Sequence, residues 1–143
     1  MKKIQIPESI AIALAMLFIY AATSKLMDYS TFKAQLGGSP FIMHHHETLA
    51  WLVPGSEILI SILLLIPRTI VVGLYLSFTI MLSFTVYIAL MLTLSPYVPC
   101  SCGGILSNMG WSEHLVFNAA FTTVAAMAVI KKENQKLTKI SIQ

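Results

Sequence analysis

TIVVGLYLSFTIMLSFTVYIALMLTL, residues 69–94, contains no Asp, Glu, Lys, Arg or His. A helix needs about 20 apolar residues to cross the hydrocarbon core of a bilayer, so this run alone decides the fold class. Three further stretches have the same character: about Ser9 to Leu26, about Thr48 to Ile66 and about His114 to Ile130. Of the 143 residues, 57% are hydrophobic and 10% charged, a balance too apolar for an ordinary soluble domain. The expectation is an all-α protein, a four-transmembrane-helix bundle forming a single integral membrane domain over residues 1–143, in contact with membrane lipid. Lys2 and Lys3 before the first run, and Ala21-Ala22-Thr23-Ser24 near its end, also suit a signal peptide. The length of that run, and Lys25 and Asp28 directly after it, favour a retained span.

Orientation follows from the distribution of Lys and Arg beside the spans. With the N-terminus in the cytoplasm, Lys2, Lys3, Arg68, Lys131, Lys132, Lys136 and Lys139 lie inside, against Lys25 and Lys33 outside. Both termini are then expected in the cytoplasm of a bacterium, with the loops of residues 27–47 and 95–113 in the periplasm. The net charge of +3 therefore reflects topology. The basic tail after Ile130 is read as a solvated cytoplasmic end and not as a nucleic-acid contact.

Between the first two spans, Asp28 to Leu36 carries Phe32 and Leu36 four residues apart, and Gly37-Gly38 follows. This predicts a short interfacial helix in the first outer loop. Pro54 has no N–H for the Ala50 carbonyl, which predicts a kink near Gly55, just before Glu57.

The chain's two cysteines stand one residue apart in the second outer loop, Pro99-Cys100-Ser101-Cys102-Gly103-Gly104. A ring closed over one intervening residue departs from the geometry of a relaxed disulfide, so such a bond is strained and easily reduced. In an oxidising compartment that suits thiol–disulfide exchange through a mixed disulfide. Pro99 stiffens the approach to the pair, and the glycines let another chain come close. Sequence alone does not say which thiol reacts first. Two thiolates also suit Cu(I) or Zn(II), with Met43, His44, His45 and His46 as further donors. A consecutive His run lacks the spacing of a structural zinc site, so no metal ligand is assigned.

Glu57 lies about nine residues into its span, roughly 13 Å down at 1.5 Å per residue. A carboxylate there is costly and therefore a functional candidate: it could handle a proton, hydrogen-bond a quinone or pair with Lys25. The alternative is a helix-locking bond to Ser56, Thr85, Tyr87 or Asn118. His114, where the chain re-enters the membrane, could take a proton from a thiol. Asn118 follows on the same helical face. Trp111 is read as an interfacial anchor, and Tyr87 and Trp51 as packing or interface aromatics.

Lys25-Leu26, Asp28, Phe32, Ser39-Pro40, Pro54, Glu57, Tyr87, the Cys100–Gly104 loop, Trp111, His114 and Asn118 together resemble the MauE/DoxX group of redox-associated membrane proteins. The likeness covers nearly the whole chain, and its most specific element is the Cys-x-Cys-Gly loop with the Trp and His after it. It implies a four-helix integral membrane protein. The methylamine-utilisation branch further implies work with a thioredoxin-like periplasmic partner in forming disulfides of a secreted enzyme, while DoxX members are linked to quinol or thiosulfate oxidation.

The expected function is thus membrane thiol–disulfide exchange. Cys100, Cys102 and His114 are the candidate catalytic residues, and a periplasmic thioredoxin-like protein is the partner. No other cysteine exists to relay electrons, so a membrane quinone is the expected second partner, with Glu57 and Asn118 as its candidate binding residues. The rivals are a non-enzymatic membrane assembly factor and a Cu(I)- or metal-handling protein built on the Cys pair.

Overall fold

A computed structural model describes residues 6–95 and 110–141. Cys100 and Cys102 lie outside the described residues. Among the described residues the elements are α1 (Ile6–Met27), α2 (Tyr29–Gly37), the 3-10 turn Met43–His45, α3 (His46–Leu65), α4 (Ile70–Leu94) and α5 (Trp111–Ser141). There is no strand among the described residues. Helices α1, α3, α4 and α5 are each long and apolar enough to cross a membrane.

The four long helices form a closed ring. α1 packs on α3, α3 on α4, α4 on α5, and α5 returns to α1. Lipid cannot drive such packing by hydrophobic burial, so close backbone approach over small residues carries it. Ala11, Ala15, Ala22 and Ala50 are buried, with Ser61, Ser77, Ala125 and Ala128. Ser61 Oγ donates to the Ala15 carbonyl at 3.3 Å, linking α3 to α1. Thr85 Oγ1 and Thr122 Oγ1, 3.1 Å apart, link α4 to α5. Gly73 permits the tightest approach, since a Cβ there would stand 2.9 Å from the backbone nitrogen of Leu64. Trp51, Leu52, Leu59, Ile62, Val72 and Val116 face outward, each more than half exposed or close to it, as a lipid-facing surface requires.

The connections follow from local chemistry. Asp28 caps α2, its side chain accepting from Thr31 N, and the Gly38 N–H closes the helix on the Ala34 carbonyl. Phe32 turns inward and is buried, so the short helix expected from the Phe32/Leu36 spacing is present and serves as a wall of the bundle. Between α3 and α4, Thr69 Oγ1 donates to the Leu63 carbonyl at 3.0 Å, satisfying one of the carbonyls left open at the end of α3. α3 remains helical through buried Pro54. α5 begins at Trp111, three residues before the expected span, and continues past Ile130 to Ser141. Residues 131–137 hold good helix formers and no Gly or Pro, so nothing there stops the helix.

The four long helices bring the start of α1 and the later turns of α5 to one end of the bundle. Lys132 Nζ lies 3.5 Å from Glu8 Oε1, tying α5 to the start of α1 there. At the opposite end α1 finishes, α2 and the 3-10 turn lie, α4 finishes and α5 begins. Ser95 and Gly110, the described residues on either side of Cys100 and Cys102 in the sequence, lie at that second end.

Candidate functional site

A cavity of about 280 Å³ opens within the end of the bundle where α1 finishes and α5 begins. Its walls include Lys25, Glu57, Tyr87, Trp111, His114 and Asn118. These come from four different long helices and from positions up to 93 residues apart in the sequence, since 118 − 25 = 93. Tertiary packing thus gathers the polar residues singled out along the spans into a single apolar chamber. The remaining walls are largely aliphatic and aromatic, with Phe18, Phe32, Phe84 and Phe117 among them.

Glu57 occupies the middle of α3 and is 1% exposed. Its Oε1 accepts from Lys25 Nζ at 2.9 Å, so of the pairings open to it in the sequence the lysine is the one formed. Glu57 Oε2 is buried and has no hydrogen-bond partner among the described residues. Lys25 also donates to the Ala21 carbonyl at 3.3 Å and sits 5.8 Å from the centre of the Phe32 ring, within cation–π range. The site therefore holds an ion pair of no net charge in which Glu57 Oε2 is left unsatisfied among the described residues.

The first turns of α5 supply the rest. His114 is half-buried, and its ring stacks on Trp111 with centroids 6.4 Å apart and planes 20° from parallel. Asn118 is buried, and its Nδ2 donates to the His114 carbonyl at 3.0 Å. Thr122 Oγ1 donates in turn to the Asn118 carbonyl at 2.7 Å. Trp111 is half-buried, so it is a wall of the cavity as well as the first residue of its helix. Trp51 is 64% exposed and packs against Tyr29, ring centroids 4.9 Å apart, the placement of an interface aromatic.

Tyr87 does more than pack. Its hydroxyl donates to Ser39 Oγ at 2.8 Å, and Ser39, fully buried, approaches Met91 Sδ at 3.7 Å. The linker after α2 is thereby pinned to α4 beside the cavity. Phe32 carried a signal in its spacing with Leu36. Ser39 carried none for burial, because a serine before proline in a loop ordinarily faces water. The three histidines sit in the 3-10 turn and at the start of α3: His46 Nδ1 lies 2.6 Å from the Met43 carbonyl, and His44 and His45 are exposed. Among the described residues no three His, Cys, Asp or Glu side chains come together as a metal-holding group.

The model of one protein family, described as Methylamine utilisation protein MauE, matches residues 3–131. No curated protein and no solved structure matches the chain.

Proposed function

The chain belongs to the MauE family, and within it we propose a multi-pass membrane protein that exchanges electrons between the Cys100/Cys102 pair and a periplasmic thioredoxin-like partner, supporting disulfide formation in exported proteins. The observation that carries this reading is the cavity lined by Lys25, Glu57, Trp111, His114 and Asn118 at the end of the bundle where α4 finishes and α5 begins, the two helices between which Cys100 and Cys102 fall in the sequence. An apolar cavity that holds a buried ion pair and a half-buried imidazole, at the end where α5 begins, suits redox exchange better than docking alone. The orientation rests on the seven-to-two excess of Lys and Arg, counted along the sequence, in the segments assigned to the cytoplasm.

The exchange balances in two steps. A thiolate of the reduced partner attacks the Cys100–Cys102 disulfide, forming a mixed disulfide and releasing one of the two thiols. The partner's second thiol then resolves it, so that the partner gains a disulfide and Cys100 and Cys102 become thiols. Restoring the Cys pair requires an acceptor of two electrons and two protons. A membrane quinone is the acceptor of that class within reach of a protein with no other cysteine, and it leaves as hydroquinone. His114, at the start of α5, is the candidate base that takes a thiol proton.

The test is oxidation of a reduced thioredoxin-fold protein by the purified chain, with a short-chain quinone supplied. Turnover that needs both cysteines and the quinone supports the proposal. Oxidation equal to that of a Cys100→Ser/Cys102→Ser variant rejects it.

A further inference from the structure

Glu57 Oε2 is the strongest unexplained feature of the cavity. A buried carboxylate oxygen without a partner is expensive, and a water bridging it would itself need two to four polar neighbours. The chamber offers mainly hydrocarbon and aromatic rings instead. Its chemistry narrows the occupant. Glu57 and Lys25 neutralise each other at 2.9 Å, so neither an anion nor an amine is favoured. Phe18, Phe32, Phe84, Tyr87, Trp111 and Phe117 all line it, which suits a planar ring. Its size, about 280 Å³, is at the lower end of small-molecule sites and fits one ring with short substituents. The missing element is a hydrogen-bond donor.

We infer that this cavity binds a membrane-soluble hydroquinone, whose ring hydroxyl donates to Glu57 Oε2, and that it therefore holds the reduced compound more tightly than the quinone. A quinone ring has carbonyl acceptors only and leaves Oε2 unsatisfied; a hydroquinone supplies the O–H. The terminal torsion of a glutamate is broad, which lets the carboxylate turn to meet a ligand hydroxyl. The inference rests on the disulfide-exchange reading for the origin of the hydroquinone, but the binding preference does not depend on it.

The test uses the full chain in lipid nanodiscs, carrying Cys100→Ser and Cys102→Ser so that no thiol chemistry interconverts the probes. Decylubiquinol and decylubiquinone are titrated separately without oxygen, following Trp fluorescence. The quinol is expected to bind about tenfold or more tightly than the quinone, the effect of one charge-assisted hydrogen bond. Glu57→Gln, whose amide can turn an N–H to the ligand, removes or reverses that preference. Val53→Trp, which fills the cavity from α3 and leaves both members of the ion pair in place, abolishes binding of both and keeps the inference testable if Glu57→Gln misfolds. Equal affinities, tighter quinone binding or an unchanged preference in Glu57→Gln overturns the inference. Quinone-dependent partner oxidation without any quinol preference leaves the proposed function standing and removes this site. A quinol preference without partner oxidation does the reverse.

Discussion

Lys25 Nζ and Glu57 Oε1, 2.9 Å apart and separated by 32 residues in the chain, join the last turn of α1 to the middle of α3 inside the membrane-spanning bundle. Removing one member of such a pair strands a buried charge, which costs about 3–5 kcal/mol, whereas replacing both by apolar residues of similar size is far milder. Lys25→Met and Glu57→Leu are each expected to lower the thermal midpoint in detergent strongly, and the double variant to recover most of the loss. A double variant no better than the worse single one would mean that the pair does not share one energy.

Gly73 is expected to resist substitution. A methyl group there meets the backbone of Leu63 and Leu64 at 3.1 and 2.9 Å, and backbone cannot swing aside as a side chain can. The gain in helix propensity, about 1 kcal/mol for Gly→Ala, is outweighed by overpacking of about 1–3 kcal/mol. Gly73→Ala should unfold earlier than wild type in a thermal melt, and Gly73→Leu should not accumulate in membranes. Gain of stability in Gly73→Ala would show that α3 and α4 are not in contact here.

Tyr87→Phe removes the donor to Ser39 and leaves a buried hydroxyl short of a partner. A loss of about 1 kcal/mol is expected, concentrated in the linker after α2. Hydrogen exchange should therefore speed up at Ser39 and Met43, whose amides donate to the Leu36 and Ser39 carbonyls, and should stay unchanged in the α4–α5 contact. Uniform acceleration would place the bond's role elsewhere.

His114→Ala should slow partner oxidation by about 10²-fold, the usual contribution of a positioned base. The variant should depend more steeply on pH, because the thiols must then ionise unaided: its rate rises towards alkaline pH and approaches that of wild type. A uniform reduction at every pH would assign His114 to packing against Trp111.

Much of this was legible in the residues themselves. The four spans are long apolar runs, and their existence needs no tertiary knowledge. Glu57, Lys25, His114 and Asn118 stood out because polar groups in such runs are costly, and the cavity gathers all four. What could not be read was direction. Nothing in the sequence of Trp111 distinguishes an interface anchor from a cavity wall, because both uses suit an amphipathic ring at a helix end. The local sequence around Ser39 gives no signal for its burial, which comes from Tyr87 and Met91, about fifty residues later. The start of α5 at Trp111 and its length beyond Ile130 escaped the hydropathy pattern because helix propensity continues where apolarity stops.

The central claim is that Cys100 and Cys102 exchange disulfides with a partner on the outer face of the membrane. The direct measurement is labelling of intact cells with a membrane-impermeant maleimide, before and after reduction, in wild type and in Cys100→Ser and Cys102→Ser, with mixed disulfides resolved on non-reducing gels. The account predicts a pair oxidised at rest, labelled from outside only after reduction, and a thioredoxin-like protein trapped by one of the single variants. A pair that stays reduced and beyond reach of the reagent, with no trapped partner in either variant, would contradict it.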